Sequence, residues 1–251
     1  MIDWHSHILP GIDDGSGSIE ESLALLKMQR EQGADTVIAT PHFFADDETV
    51  DEFLARRQES LDSLLSAARD EIPRIICGAE VKYYPGIGKL ESLSKLCIGE
   101  SNLILLEMPM GKWTEYTVRE LTEIAVTHRV RVILAHIDRY LKLESDSVWE
   151  RLYESGILMQ VNASFFNELF TKKKATDMLA RGGIHAIGSD CHNLRNRPPR
   201  LGKAYELIRK KLGDEFVTQF NEYGYSLLLI IWPSVHRVMA IILKSYWPVV
   251  V

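Results

Sequence analysis

Seven short apolar runs alternate with amphipathic stretches along this chain, and no other feature restricts its fold as much. The strand candidates end near His5, Thr40, Val81, Met108, His136, Asn162 and Ser189. Their cores include Val37-Ile-Ala, Ile75-Ile-Cys, Leu103-Ile-Leu-Leu, Val132-Ile-Leu-Ala, Ile157-Leu-Met-Gln-Val and Ile184-His-Ala-Ile-Gly. Unbroken apolar runs of this length suit parallel strands covered on both faces. Helical patterns fill the gaps. Ser18-x-x-Glu21 is a capping box opening a helix that ends near Gly33. Helices are expected from Asp51 to Arg69, Thr117 to His128, Ser147 to Glu154, Lys172 to Arg181, Leu201 to Leu212 and Asp214 to about Tyr223. Roughly seven βα units argue for a closed or nearly closed parallel α/β barrel. An open doubly wound sheet is the alternative, although no glycine-rich dinucleotide fingerprint accompanies it.

At 251 residues, 46% hydrophobic and 25% charged, the chain is sized for one well-buried core. A net charge of -6 gives no general attraction to nucleic acid or anionic lipid, while leaving room for a local basic pocket. Cys77, Cys97 and Cys191 form no Cys-x-x-Cys pair, which fits a reducing cytoplasm better than a disulfide framework. No signal peptide is read at the acidic N-terminus, so a cytoplasmic placement is expected. Residues 1–223 read as one domain and 224–251 as an atypical apolar tail. In the tail, two apolar runs flank Pro233, His236 and Arg237. A spanning helix needs about 20 mostly apolar residues, and this stretch is interrupted at its middle by a proline and a charge. Three readings stay open: a helix packed on the barrel, a membrane-surface or spanning segment, or non-native sequence.

In a parallel barrel the working groups sit at the C-terminal ends of the strands. The first strand ends in His5-x-His7, two residues apart and so on one face, followed by Asp13-Asp14. The next four end in Thr40-Pro-His42, Gly78-Ala-Glu80, Leu106-Glu107 and His136-Ile-Asp138-Arg139; the seventh ends in Ser189-Asp190-Cys191-His192. Only the sixth, ending in Asn162, offers no obvious ligand. Acidic residues and histidines also follow strands as caps and turns, but that explanation would have to hold at six of seven ends. Mixed nitrogen and oxygen donors suit two or three divalent ions such as Mn, Fe or Zn. Two such ions about 3.5–4 Å apart can activate water and clamp a phosphoryl oxygen. His128, His185 and His236 lie away from the strand ends and read as surface or packing residues.

Arg139 and Arg197 follow two of these ends, and a guanidinium fork matches phosphate bidentately. Arg195 and Arg200 read as solvated loop charges. Cys191-His-Asn-Leu-Arg-Asn-Arg197 also satisfies the Cys-x5-Arg pattern of cysteine-dependent phosphatases. That match reads as coincidental. The loop lacks a glycine and runs into Pro198-Pro199, which have no N–H to offer a phosphate.

On these residues the chain resembles the PHP-domain (polymerase and histidinol phosphatase) metallophosphoesterases. It is most similar to the bacterial protein-tyrosine phosphatases of capsule and exopolysaccharide synthesis. The opening from Met1 to Gly15, Thr40-Pro-His42, Gly78-Ala-Glu80, the Leu-Glu-Met-Pro stretch, His136-x-x-Arg139-Tyr140 and Ser189-Asp-x-His-Asn193 match in order. The likeness covers about residues 1–222. Trp4, Ile137-Asp138 and Cys191 depart from the usual residues without removing a proposed ligand.

The resemblance implies a distorted (β/α)7 barrel, two or three divalent ions with manganese preferred, and hydrolysis of phosphotyrosine. It implies metal ligands at His5, His7, His42, Glu80, His136, Asp190 and His192, with Asp14 and Glu107 following, and phosphate-binding arginines at Arg139 and Arg197. On that mapping His5, His7, Glu80 and Asp190 would hold one ion, Glu80 could bridge to a second held by His136 with Glu107 nearby, and Asp14, His42 and His192 would serve a third. Asp14 is also the candidate general acid. Trp113 and Tyr116 are expected either to flank a phenyl ring or to pack in their loop. The implied partner is the phosphotyrosine tail of a membrane-associated tyrosine autokinase, with no nucleic acid and with membrane contact through the tail left open. A small-molecule phosphatase acting on histidinol phosphate, or a noncatalytic membrane-associated binding module, are the alternatives.

Overall fold

The computed structural model describes residues 1–69 and 71–229. Its strands are β1 (Ile2–Ser6), β2 (Thr36–Ala39), β3 (His42–Phe43), β4 (Arg74–Cys77), β5 (Glu80–Lys82), β6 (Leu103–Glu107), β7 (Arg131–Leu134), β8 (Leu158–Asn162) and β9 (Ala186–Gly188). Hydrogen bonds order them β1-β2-β4 in one sheet and β3-β5-β6-β7-β8-β9 in the other. Every pairing is parallel. The two sheets are one curled surface, because β2 and β3 are a single strand path broken at Thr40-Pro41, and β4 and β5 another broken at Gly78-Ala79. Proline cannot donate to the ladder, which accounts for the first break. At the second, a Cβ on Gly78 would come within 2.9 Å of the Ile98 side chain.

The first and last strand positions also meet. Ser6 pairs with Cys191, the His7 N–H donates to the Cys191 carbonyl at 2.9 Å, and the Asp190 N–H to the His5 carbonyl at 2.8 Å. The expected parallel barrel of seven positions is therefore the fold, with its distortion located in the two broken strands. The open doubly wound sheet is excluded by this closure.

The helices are α1 (Ile19–Glu31), α2 (Val50–Ala67), α3 (Glu115–Thr127), α4 (Asp146–Glu154), α5 (Ser164–Asn167), α6 (Lys172–Ala180), α7 (Leu201–Leu212) and α8 (Asp214–Leu229). Ser18 caps α1 by accepting the Glu21 N–H, and Thr49 with Glu52 forms a reciprocal capping box on α2. Between β5 and β6 there are two 3₁₀ turns in place of a helix, Ile87–Lys89 and Leu93–Leu96. The buried Glu120 of α3 holds this segment, accepting the Tyr83 hydroxyl at 2.6 Å and the Gly86 N–H at 3.0 Å.

Ile2, Trp4, Ile38, Leu103, Leu105, Ile133 and Leu158 make an apolar cluster with Leu227 of α8. That helix closes the N-terminal mouth of the barrel. Arg131, at the start of β7, donates to the Leu227 carbonyl, and a Cβ on Gly224 would lie 3.5 Å from Trp4. The sequence places the end of this helix near Tyr223. It continues six residues further because Leu227 is an apolar side chain buried against the strands. The division between residues 223 and 224 thus falls inside a helix. His236 and the rest of the apolar tail, 230–251, lie outside the described residues. No helix among the described residues is long and apolar enough to cross a membrane.

Candidate metal centre

The site begins with an irregularity. The register of β1 against β2 shifts between Asp3 and Ser6, the kind of bulge that re-aims a side chain. Trp4 sits in the apolar interior cluster, while the next residue, His5, reaches the rim. Asp3, fully buried, ties β1 to its neighbours. It accepts the Ser189 N–H at 2.7 Å and the Gln29 side-chain amide at 2.7 Å. Two glycines make room for the imidazoles. A Cβ on Gly188 would lie 2.4 Å from the His5 Cβ, and one on Gly15 would lie 2.4 Å from the His7 Cβ.

Glu80 is the centre of the arrangement. Its Oε2 lies 3.0 Å from His5 Nε2, 3.1 Å from His7 Nε2 and 3.2 Å from His42 Nδ1. Its Oε1 lies 2.7 Å from His136 Nε2. Around this carboxylate, Asp190 Oδ1 stands 3.7 Å from His5 Nε2 and 3.6 Å from His7 Nε2. Glu107 Oε1 stands 3.6 Å from His136 Nε2. Asp14 Oδ1 stands 3.4 Å from His42 Nε2 and 3.3 Å from His192 Nε2. Donors bound to one ion at about 2.1 Å are themselves about 3–3.4 Å apart, and the separations here, from 2.7 to 3.7 Å, bracket that spacing. Three groups of donor atoms converge tightly enough for an ion: His7, Asp14, His42 and His192; His5, His7 and Asp190; His42, Glu80 and Glu107. His136 adjoins the last of these through Glu80 and Glu107.

The donor chemistry fits divalent ions on a further count. His42 Nδ1, His136 Nδ1 and His192 Nε2 are buried without a hydrogen-bond partner. Buried polar atoms are rarely left so, and their orphaning at one place marks a site built for something other than internal hydrogen bonding. Burial holds all three imidazoles below the ordinary histidine value, His192 at about 4 with the charges of His7 and Arg197 adding to it. They are neutral and keep a lone pair to donate. His7 goes the other way. Burial would lower it, but its bond to Asp13 and those to Glu80 raise it to about 10. His5 is likewise raised against burial by Glu80 and Asp190. Burial would raise Glu80, yet the surrounding His5, His136 and His7 hold its carboxyl well below the usual range. Asp190 is held down against burial by His5, His7 and Arg139. Glu107 is raised by burial and by the Glu80 charge.

Two of these residues have strained backbones. His136 (φ 34°) and Asp190 (φ 52°) occupy the left-handed region. Strain of this kind costs about 1–3 kcal/mol per residue and collects at functional sites. Arg139 Nη2 bonds Asp190 Oδ2 at 2.5 Å, and Arg197 Nη2 lies 2.7 Å from Asp190 Oδ1. Both guanidiniums are about a third exposed at the mouth, 36% and 39%.

All nine side chains expected at the rim come together. Asp13, Gln160 and Asn162 escaped the sequence reading. Asp13 Oδ2 accepts from His7 Nδ1 at 2.7 Å and from the His42 N–H at 3.0 Å, so it fixes the ring whose other nitrogen faces Glu80. Gln160 Oε1 accepts the His136 N–H at 2.6 Å and lies 3.4 Å from His5 Nδ1. Its signal was available, since it is the polar residue within the apolar run of β8. Asn162, at the strand end that seemed to offer nothing, donates to Asp190 Oδ2 at 2.8 Å.

The aromatic expectation for Trp113 resolves to packing. Trp113 is buried against Tyr140 and Trp149, with its backbone N–H donating to Glu144 and its indole N–H to the Pro109 carbonyl at 3.1 Å. Tyr116 is exposed beside Arg119. Arg195 and Arg200 are exposed loop charges. His128 bonds the Gly88 carbonyl at 2.9 Å, and His185 is buried, accepting the Met159 N–H at 3.1 Å. Cys191 is fully buried, and burial with the Asp3 charge pushes its thiol far above the ordinary value. Such a buried, protonated sulfur is poorly suited to act as a thiolate nucleophile.

Comparison with known proteins follows the same geometry. The family described as capsular polysaccharide synthesis, CpsB/CapC, matches residues 1–224. Tyrosine-protein phosphatase CpsB of Streptococcus pneumoniae is 34% identical over 227 residues, covering 85% of this chain and 91% of that one. Tyrosine-protein phosphatase YwqE of Bacillus subtilis is 28% identical, with 91% of each chain covered. A solved structure described among those of YwqE and CpsB, "unique metal-dependent tyrosine phosphatases", superposes with a TM-score of 0.76 at 25% identity, over 92% of this chain and 96% of that one. With the barrel, its crowded rim and these matches in hand, the chain belongs to the CpsB/CapC family of capsular polysaccharide synthesis.

Proposed function

We propose that this protein is a metal-dependent tyrosine phosphatase whose rim residues His5, His7, Asp14, His42, Glu80, Glu107, His136, Asp190 and His192 hold two or three divalent ions. The observation that carries this reading is one buried carboxylate, Glu80, within 3.2 Å of nitrogens from four histidines. His5, His7, Asp190 and Glu80 would hold the first ion, Glu80 with His136 and Glu107 the second, and Asp14, His42 and His192, with His7 alongside, the third. Manganese is the ion we assign, with iron or zinc able to use the same donors. When bound, such ions lower the pKa of water toward neutrality and offset charge on phosphoryl oxygens.

The chain's own groups do the rest. Asp13 fixes the His7 ring, and Gln160 fixes His136 and His5, so the donors are held before substrate arrives. Arg139 and Arg197 flank Asp190 at the mouth, where their unused N–H groups can hold the nonbridging oxygens of a phosphate monoester. Asp14, 65% exposed at the outer edge, is the carboxylate we assign to relay the proton given up by the attacking water toward the departing phenolate. A phenol with a parent pKa of about 10 needs less such help than an alcohol.

The substrate we assign is phosphotyrosine on the tail of a cognate membrane-associated tyrosine autokinase of capsule or exopolysaccharide synthesis. A phosphotyrosine peptide assay with added Mn²⁺ tests the reading. Activity should appear with the metal and vanish with EDTA. His136→Ala should lose metal and turnover together. Undiminished turnover in EDTA would overturn the metal mechanism.

A further inference from the structure

Another part of the same rim takes no role in this chemistry. β8 ends at Asn162 and leads through α5 into a turn at residues 168–171, whose start is tied to Arg200 at the end of the loop that carries Arg197. The base of the turn is fixed. The Glu168 N–H donates to the Ser164 carbonyl at 3.1 Å, Thr171 Oγ1 to the Phe165 carbonyl at 2.7 Å, and Asn167 Nδ2 to the Arg200 carbonyl at 3.1 Å. At its tip Leu169 is 70% exposed and Phe170 94% exposed. Lys172, Lys173 and Lys174 follow directly and are all exposed. Glu168 and Asp177 are the acidic residues nearest in sequence, yet no lysine of the three forms an ion pair among the described residues.

Neither choice serves the fold. An exposed phenylalanine buries nothing. Lysines in the first turn of α6 face the positive end of the helix dipole, and no acidic residue stands in that turn to offset them. Two locally unfavourable choices side by side, in a chain of net charge -6, point outside the molecule. The shape identifies the partner. A peptide ligand would need a groove with walls, whereas Phe170 stands proud on a convex tip with basic residues beside it. That arrangement matches an anionic bilayer, whose interface accepts an aromatic and a leucine while its headgroups attract lysines.

We propose that residues 169–174 form a membrane-contact element, in which Leu169 and Phe170 enter the interface of an anionic leaflet and the three lysines meet its headgroup charge. The contact is weak and reversible, since few apolar groups enter. Because the turn lies on the C-terminal rim, it sets the mouth of the metal centre against the lipid surface.

The test is sedimentation of the full-length protein with phosphatidylcholine vesicles, with and without phosphatidylserine, at low salt. The wild type should show a phosphatidylserine-dependent increment. The triple variant K172E/K173E/K174E should lose about 100-fold of it, and Phe170→Ala about tenfold. Hydrolysis of a soluble aryl phosphate should be unchanged in both, which separates this inference from the catalytic reading. Absence of the increment in the wild type would overturn the proposal. So would an increment that survives both variants, which would assign lipid binding to residues outside the turn. A higher KM for soluble phosphotyrosine peptide with no lipid effect would also overturn it, in favour of a peptide surface.

Discussion

The two ends of the barrel are built on opposite terms. At the C-terminal end, histidines and carboxylates crowd within a few ångströms, imidazole nitrogens are orphaned, and His136 and Asp190 hold strained backbones. At the N-terminal end, Ile2, Trp4, Leu103, Ile133 and Leu227 pack as an ordinary apolar core beneath α8. Yet the strands between them are only three to five residues long in β1, β6, β8 and β9. A few layers of apolar side chains therefore support a charged and strained rim. Such a rim persists only where the rest of the structure determines it more than once, and chemistry and stability separate along the barrel axis.

The strongest way to break this separation is to change the centre of the rim. Glu80→Gln keeps the shape and removes the charge that four imidazoles share. It should lower kcat/KM by about 10³-fold or more, near 4 kcal/mol of transition-state stabilisation. Metal content should fall with it. The thermal midpoint should fall only by what the lost ions and the Glu80 charge contribute, because the apolar packing below is untouched. Metal-loaded Glu80→Gln protein with more than a tenth of wild-type turnover would show that Glu80 is not needed to hold the ions.

Leu227→Ala makes the converse change. The residue is fully buried at the base, and truncation of such a leucine typically costs about 3–4 kcal/mol. In a domain of this size the midpoint should drop by about 6–12 °C. Below the transition, kcat/KM and metal content should match the wild type. A folded Leu227→Ala protein with strongly reduced turnover would show that the ends are coupled.

The rim was far more legible in the sequence than the base. A polar residue at the end of an apolar run is conspicuous, and strand ends in a parallel barrel point to one place. His5, His7, His42, Glu80, His136 and Asp190 could therefore be placed together before any coordinates. Choices between neighbours were not legible. Asp13 and Asp14 are adjacent, and only the turn in which Asp13 accepts the Gly15 N–H decides which one orients His7. Asn162 seemed an empty end because its partner, Asp190, lies 28 residues away. Trp113 carried no local sign that Tyr140 and Trp149 would bury it. The last helix passes Tyr223 because Leu227 finds the barrel interior, a contact that local periodicity does not contain.

The base carries a titrating group of its own, which sharpens the comparison by pH. His185 precedes β9, packs beside Tyr153 and Tyr223, and is lowered by burial from 6.5 to about 4. A depressed histidine binds its proton less readily folded than unfolded. Its stabilising contribution is complete above pH 6.5 and is lost as pH falls toward about 4. The loss is at most roughly 3 kcal/mol. His185→Asn keeps an acceptor for the Met159 N–H and removes the titration. Urea midpoints followed from neutral to acidic pH should fall less steeply in the variant. Parallel curves for the two proteins would remove His185 from the acid response and leave it to the rim.

The smallest expected effect tests the boundary between the two regions at a single side chain. Cys191 sits between two proposed ligands, Asp190 and His192, yet its side chain belongs to the apolar packing around Ile8, Leu9 and Leu25. Its backbone serves the barrel closure by accepting the His7 N–H. The sulfur receives the Gln29 amide at 3.7 Å, and burial with the nearby Asp3 charge raises its pKa against the opposing hydrogen bond with Ser189. Cys191→Ser keeps an acceptor for Gln29 and gives up some volume, so it should cost about 1 kcal/mol in stability. Turnover should stay within about twofold, because no step depends on a thiolate. A loss of about 100-fold in a folded, metal-loaded protein would make sulfur the nucleophile. It would also make the Cys-x5-Arg spacing meaningful and shift the chemistry from the rim into the packed wall beneath it.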